Sequence, residues 1–468
     1  MSIPQWDEAW RGAAHRLVDL LFDHVNGVAA TPVVDWASPG ELAARDPFAV
    51  NDRGSSPDRM IPLAEALAEA SIHLHHPRYA GHQVCPPFAA GVLAEMAIAT
   101  LNNSTAVWEM SPAATVIEKN VVRWLCDRIG YPATAGGTTV SGGSAANLTA
   151  LLAARHRWRA DGENVGKTPV VVCAETAHYS IARAAAILGS GIRVVEVPVD
   201  ETFRMIVGEL ETLLDAMEGS DESPMAIVAT AGSTATGSFD RLAPIADLRD
   251  RYRTWLHVDA AHGASAVLSR GLRRLVDGLA RADSLSWDPH KMMWMPLSTS
   301  AVLVREESWL REAFQSDAPY LFHRDRQGLD LGAMTIQCSR RADAVKLWLA
   351  LNTIGADAIA ETMERVAERT AELHAMIAAA PDFEPMHDPQ FNIFCFRYRP
   401  AGSADGEALD ALNETLRQRL LESGEGWITT TKLRGRRSLR VTVINPATSR
   451  DDLEAIVGKL RDIAKEMA

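Results

Sequence analysis

The chain is poor in the features that mark secreted, metal-stapled, membrane-spanning or polyanion-binding proteins. Its five cysteines, Cys85, Cys126, Cys173, Cys338 and Cys395, are scattered and form no C-x-x-C pair. That spacing disfavours both a disulfide framework and a structural zinc site, and no metal is expected. No apolar run reaches the ~18 residues needed to cross a bilayer. The first residues, Met1 to Glu8, lack the basic and then apolar regions of a signal peptide, so a cytoplasmic protein is expected. Positive charge is also short: 47 Lys and Arg stand against 60 Asp and Glu, a formal net charge of -13. A nucleic acid or an anionic membrane would be repelled on average, and neither is expected as a partner. Repeats and low-complexity tracts are absent. What remains, at 47% hydrophobic and 23% charged residues, is an ordinary globular composition. A length of 468 residues suggests two or three domains.

What is present is an alternation of short apolar runs with helix-length segments. Trp10, Leu17, Leu20, Leu21 and Val25 fall at helical spacing, which predicts an amphipathic N-terminal helix over Trp6 to Val25. Thr31 to Pro62 is rich in Pro, Gly, Ser and Asp and reads as an extended connection. A further helix is expected from Ala64 toward Ala80, leading into the turn-rich stretch His75 to His82. Ala113 to Ile129 again reads as helix. The runs Pro169 to Cys173, Ile192 to Val197, Met225 to Thr230, Trp255 to Val258 and Ser300 to Val304 then alternate with helical stretches. Such Val- and Ile-rich runs indicate a largely parallel sheet covered on both faces. Asp343 to Leu351 and Ala356 to Ala379 read as long helices. A smaller α/β unit follows, with strands near Phe391 to Arg397 and Leu439 to Ile444 and a last helix from Arg450 to Ala468.

Three segments carry candidate chemistry, each beside a plainer alternative. Ser286-Trp287-Asp288-Pro289-His290-Lys291-Met292-Met293 places a lysine after a strand in an apolar setting. Burial lowers a lysine's pKa and makes it a competent amine nucleophile of the Schiff-base kind; a surface loop lysine is the alternative. Trp255 to Gly263 is an apolar strand ending in Asp259. Ligands of open α/β sheets sit beyond the carboxyl ends of strands, where a carboxylate keeps a pyridinium nitrogen protonated. Ala260, Ala261 and Gly263 would admit a flat ring, whereas an Asp that only caps a helix would need none of this. Thr138 to Asn147 brings small residues to a helix start, whose free N–H groups and dipole suit an anion such as a cofactor phosphate. A ligand-free N-cap by Ser141 or Ser144 is the alternative. His178 follows a strand end and either stacks on a ring or simply starts a helix. Arg440 interrupts an apolar strand, either to hold a carboxylate bidentately or to face solvent from an edge. Gly162-Glu163-Asn164-Val165-Gly166-Lys167-Thr168 imitates a P-loop, but three residues separate its glycines where four are required, and a strand follows. It is rejected.

Taken together and in order, these residues resemble the group II pyridoxal-phosphate (PLP)-dependent amino-acid decarboxylases. That family includes glutamate, cysteine-sulfinate, aromatic-amino-acid and diaminobutyrate decarboxylases. The likeness runs from His76-Pro77-Arg78-Tyr79 and Ser111-Pro112-Ala113 through Ser141-Gly142-Gly143-Ser144, His178, Thr230 to Asp240, His257 to Ala261 and Pro289-His290-Lys291. It continues through Thr335 to Arg341 and Arg440 to Pro446. It implies the α/β PLP fold-type I (aspartate-aminotransferase-like). A helical dimerisation segment is expected over 1–75 and a large PLP-binding domain with a mostly parallel seven-stranded sheet over 76–350. A small C-terminal α/β domain is expected over 351–468. Carried over by position, Lys291 forms the internal Schiff base, Asp259 holds the pyridine nitrogen, His178 stacks on the ring and Ala261 packs beneath it. Gly143 and Ser144 bind the phosphate, Thr234 sits near the ring hydroxyl and His290 lies beside the lysine. Arg440 grips the substrate α-carboxylate, with Tyr79 and His82 also at the substrate. The implied activity is decarboxylation of an L-amino acid to the amine and carbon dioxide, in a homodimer with its sites at the subunit interface.

Three positions depart from the family. Asp288 stands where relatives often carry a phosphate-binding Asn, and an anion there opposes a dianionic phosphate unless protonated or turned away. Acidic-substrate members carry Phe-Asn-Gln downstream of His-Pro-Arg; the stretch Tyr79-Ala80-Gly81-His82-Gln83 puts His82 at the Gln position by ungapped counting. The loop tyrosine that reprotonates the carbon after carbon dioxide loss is missing from Leu321 to Gly332, with Gly328 nearest its slot. His323 is then the expected catalytic acid, with Tyr320 as the alternative. A second outcome is decarboxylation coupled to oxidative deamination, giving aldehyde, ammonia and peroxide. A non-catalytic scaffold on the same fold is a remote reading, since Lys291, Asp259 and His178 are all present.

Overall fold

The structure, a computed structural model, describes residues 6–189, 191–315 and 330–467. Its contacts divide the chain into two compact units. The larger comprises Gln83–Glu368 and His387–Ile393; the smaller comprises Met1–His82, Arg369–Met386 and Phe394–Ala468. The N-terminal segment thus shares a unit with most of the C-terminal residues.

The larger unit is built on seven strands: β1 (Gly136–Val140), β2 (Thr168–Ala174), β3 (Arg193–Val197), β4 (Glu222–Thr230), β5 (Trp255–Asp259), β6 (Ser284–Trp287) and β7 (Ser300–Val304). They lie in the order β1-β7-β6-β5-β4-β2-β3. β7 runs antiparallel to both its neighbours, and every other pair is parallel. Every residue of β1, β5, β6 and β7 is buried, the mark of a sheet covered on both faces. The expected seven-stranded, mostly parallel sheet is therefore present. Because β7 alone is reversed, Val140, Ala174, Thr230, Asp259 and Trp287 all emerge at one end of the sheet. The ends of these strands and the segments that follow them supply every residue that lines the cavity described below.

The smaller unit holds a sheet of β8 (Phe383–Pro385), β9 (Ile393–Tyr398), β10 (Thr429–Leu433) and β11 (Arg436–Thr442), ordered β10-β11-β9-β8. Helices Glu407–Ser423 and Arg450–Met467 belong to the same unit. The N-terminal helix Glu8–Gly27 starts at Asp7, whose carboxylate accepts from the Ala9 and Trp10 amides. The helix expected from Ala64 toward Ala80 is instead Met60–Glu69. Pro77 bars its preceding residue from helical geometry, and the chain beyond Ala70 bonds elsewhere. His73 N donates to Val33 O, and Asn445 donates to the carbonyls of Leu74 and His76. Among the described residues no helix is long and apolar enough to cross a membrane.

Candidate active site

Beyond the shared strand ends lies a cavity of about 250 Å³. Gly143, Ser144, His178, Thr234, Asp259, Ala261, His290 and Lys291 all line it. These are the eight residues expected around a cofactor, and they come from five separate loops. Asn147, Tyr179, Thr230, Gly232, His262 and Asp288 complete the lining. A larger cavity of about 910 Å³ lies at the opposite strand ends, against Lys167, Glu222, Thr254 and Trp255, and contains none of the expected residues. Volume is a poor guide here; the chemistry collects where the parallel strands end.

One end of the smaller cavity is the start of helix Gly143–Ala160. Ala145 N and Ala146 N both bond Gly142 O, so the first-turn amides of Gly143 and Ser144 are the ones a helix leaves without an internal acceptor. A Cβ on Gly143 would stand 2.9 Å from Asp288 Oδ2 and 3.1 Å from Ala261 Cβ, which fixes glycine at this close approach. Lys291 Nζ lies 3.0 Å from Asp288 Oδ2. Burial pushes the Asp288 carboxyl up, but the Lys291 and His290 charges beside it hold it below the usual carboxylate range. Burial also holds the His290 and His178 imidazoles below their ordinary value.

Asp259 ends β5 and accepts three hydrogen bonds: from Asn147 Nδ2 to Oδ2 (3.0 Å), and from Ser286 Oγ (3.0 Å) and Ala261 N (3.3 Å) to Oδ1. Asn147 is the junction of a longer chain in which the roles follow one direction. Trp255 Nε1 donates to Ser284 Oγ (2.8 Å), and the Ser284 hydroxyl donates to His257 Nδ1 (2.9 Å). His257 Nε2–H donates to Asn147 Oδ1 (2.9 Å), and Asn147 Nδ2 also donates to Ser180 Oγ (2.9 Å). The Ser180 hydroxyl then donates to His178 Nδ1 (2.8 Å). The chain fixes His257 and His178 as Nε2–H tautomers, and burial holds the His257 ring neutral. Sequence reasoning gave Asn147, Ser180 and Ser286 no role. Asn147 closes the Thr138 to Asn147 stretch one helical turn from Gly143, which is the only local signal it offers.

An amine, a carboxylate with three donors, a small-residue wall and two free helix amides around this volume fit PLP. The lone misfit is Asp288, whose Oδ1 is buried without a hydrogen-bond partner.

Three of the remaining expected residues, Tyr79, His82 and Arg440, gather in the smaller unit. Arg440 lies on β11, which is flanked by β10 and β9, and is 5% exposed; it does not face solvent from an edge. Its Nη1 reaches Thr429 Oγ1 at 3.3 Å, while Nε and Nη2 have no hydrogen-bond partner. Buried Tyr79 sits near this guanidinium. Partial burial and the Arg440 and Arg417 charges depress the His82 imidazole. Thr442 N donates to Ala80 O and Tyr79 bridges to Trp427, which ties the Tyr79–His82 stretch to β11. A side chain at Gly81 would collide with the Trp427 ring. His323 lies outside the described residues.

Known proteins place this geometry. Residues 39–399 match the model of the pyridoxal-dependent decarboxylase conserved domain. The chain is 29% identical over 466 residues to an aromatic-L-amino-acid decarboxylase of Bacillus atrophaeus, covering 98% of this chain and 96% of the relative. It is 31% identical over 459 residues to a cysteine sulfinic acid decarboxylase of Rattus norvegicus, covering 94% and 92%. The solved structure of Oryza sativa TDC with PLP and tryptamine superposes with a TM-score of 0.91 at 25% identity over the whole of both chains. A match across most of the chain, on a fold that puts a lysine and an aspartate at one cavity, makes this chain a member of the group II PLP-dependent decarboxylases, a lyase acting on amino acids with pyridoxal phosphate as its cofactor.

Proposed function

We propose that the cavity at the strand ends is where an L-amino acid loses carbon dioxide, with Lys291, Asp259 and His178 as the catalytic residues of the larger unit. The observation that carries this reading is the convergence of eight separately expected residues on one cavity of about 250 Å³. Bound pyridoxal phosphate supplies the electron sink for the pair left on the α-carbon. Lys291 supplies the amine, which Asp288 holds at 3.0 Å. Asp259, fixed by Asn147 and Ser286, holds the proton at the pyridine nitrogen, and His178, fixed by Ser180, covers the ring face. Gly143 and Ser144 offer their amides to the phosphate, with Thr234, Ala261 and His290 completing the cradle. Arg440 supplies two unpartnered N–H-bearing nitrogens to the α-carboxylate, a bidentate match. Tyr79 and His82 stand beside it as substrate contacts, and His323 returns the proton to carbon.

We also propose a cytoplasmic homodimer. Helix Ala89–Leu101 buries Gly91, Ala94 and Ile98 but exposes Val92, Leu93, Met96 and Leu101, an apolar face suited to a second copy. The N-terminal helix likewise exposes Trp10, Leu21, Phe22 and Val25. Light scattering would read a mass twice that of the chain; a monomer would remove this part of the proposal. The activity is tested by incubating the purified protein with single amino acids, including diaminobutyrate and cysteine sulfinate, and scoring carbon dioxide, amine, aldehyde and peroxide together. Aldehyde and peroxide in place of amine would favour the oxidative route.

A further inference from the structure

The segment that carries Lys291 closes on itself. His290 N donates to Thr299 O (3.2 Å), Met295 N to Pro289 O (3.1 Å) and Trp294 N to Lys291 O (3.3 Å). Lys291 thus sits in a turn from Pro289 to Thr299 whose two ends are bonded together, so a contact that fixes the far end also fixes the backbone from which the amine projects. Phe88 and helix Ala89–Leu101 pack against the middle of this turn. Phe88 N donates to Trp294 O (2.8 Å), the two rings lie 5.5 Å apart, and a Cβ on Gly91 would stand 2.5 Å from Pro296 Cδ.

The far end is held by a charge. Lys346, on helix Ala344–Thr353, is 0% exposed. Its Nζ donates to Glu95 Oε1 (2.8 Å) and Ser298 O (3.1 Å) and lies 2.9 Å from Asp343 Oδ1. Burial pushes the Glu95 carboxyl up, but Lys346 and Arg341 hold it below the usual carboxylate range, so it stays ionised near neutral pH. Helix Ala344–Thr353 packs against helix Ala89–Leu101, and packing alone needs no buried ammonium, since an apolar side chain of similar volume serves as well or better. Glu95 and Asp343 compensate the charge. Neither accounts for Ser298 O, a backbone acceptor outside both helices and one residue from Thr299. The ammonium also acts on the His290 ring beside Lys291, although burial is the larger influence there.

We infer that Lys346 is a positioning residue for the Schiff-base lysine: its grip on Ser298 O sets the closed Pro289–Thr299 turn, and the turn aims the Lys291 amine. Schiff-base formation joins that amine to an aldehyde carbon with loss of one water, and a reacting group misplaced by about 1 Å can lose on the order of 10²-fold in rate. The inference rests on Lys291 as the Schiff-base lysine, as proposed above.

The test uses full-length apoprotein and two probes. Pyridoxal phosphate forms the Schiff base; pyridoxine 5′-phosphate has no aldehyde and binds without one. Stopped-flow absorbance reads the rate of Schiff-base formation, and calorimetry reads the affinity for pyridoxine 5′-phosphate. Lys346→Met should slow Schiff-base formation by on the order of 10–10²-fold and leave the pyridoxine 5′-phosphate affinity unchanged, because other loops make the phosphate and ring contacts. Lys346→Met combined with Glu95→Gln removes the ion pair as a unit and provides the arm if the single variant does not fold. A fall in pyridoxine 5′-phosphate affinity as large as the fall in rate would make Lys346 a structural residue and overturn the inference, as would a rate equal to that of wild type. Borohydride attachment of the cofactor to a different lysine in the wild type removes the Lys291 assignment and the inference together.

Discussion

Replacing Asp259 by Asn separates the residue's two duties, because the site's hydrogen-bond directions are fixed. Asp259 accepts on both sides: Asn147 Nδ2 at 3.0 Å on Oδ2, Ser286 Oγ at 3.0 Å and Ala261 N at 3.3 Å on Oδ1. An amide there must point its NH₂ at one of these. Toward Asn147 it meets another NH₂; turned over, it meets the Ala261 N–H. Either way one buried donor pair opposes, a cost of about 1–3 kcal/mol. Exchanging the partners, as Asp259→Asn with Asn147→Asp, gives the introduced amide an acceptor at the same distance and leaves a carboxylate oxygen for His257 Nε2–H. The exchanged variant should recover about 1–2 kcal/mol, read as the shift of the urea midpoint. Turnover should not recover. Both variants should lose on the order of 10²–10³-fold or more in kcat, the scale for removing a preorganised charge contact, with KM little changed because the ground-state contacts remain. A double variant as unstable as the single one would refute the assigned directions, and near-normal turnover in either would remove Asp259 from the reaction.

Lys291→Ala should abolish turnover and leave the fold intact, since no other amine lines the cavity among the described residues; borohydride should attach the cofactor to the Lys291 peptide in the wild type, and labelling of another lysine would displace the assignment. Arg440→Met should raise KM about 10–100-fold, the loss of a charge-assisted contact of about 1.5–3 kcal/mol. Because it removes a buried guanidinium with two unpartnered nitrogens, the unliganded protein should become no less stable, and a lowered urea midpoint with unchanged KM would mark Arg440 as structural. His323→Phe should cut amine release and raise aldehyde, ammonia and peroxide under air, with Gly328→Tyr shifting product back toward amine; an unchanged amine-to-aldehyde ratio would leave His323 without a part.

The fold was legible where burial had left its mark on composition. Val170-Val171-Val172 of β2 and Ala226-Ile227-Val228 of β4 are buried in mid-sheet, and such runs read directly as parallel strands. β1 and β6 carry Gly136-Gly137-Thr138-Thr139 and Ser284-Leu285-Ser286, which look like turn chemistry. Their hydroxyls are absorbed by remote partners: Thr138 Oγ1 donates to Glu118 Oε1 (3.0 Å), and Ser284 Oγ accepts from Trp255 Nε1 (2.8 Å). Helix Ala89–Leu101 was silent for the opposite reason. Residues such as Val92, Leu93, Met96 and Ile98 leave it apolar on exposed and buried faces alike, so no stripe stands out.

The site was legible residue by residue, because the end of a parallel strand admits few residue types beside a ligand. Its wiring was not, because hydrogen bonds ignore sequence distance: Asn147 meets His257 across 110 positions and Asp259 across 112. Asp288 lies between these cases. It was readable as an anomaly, an anion where the resemblance expects a phosphate, but its contacts were hidden. His290 Nδ1 lies 2.8 Å from Thr299 O and 3.2 Å from Thr299 N, and the turn after Lys291 places both atoms. Residue identity therefore names the charges at such a site, while the backbone decides where their protons stand.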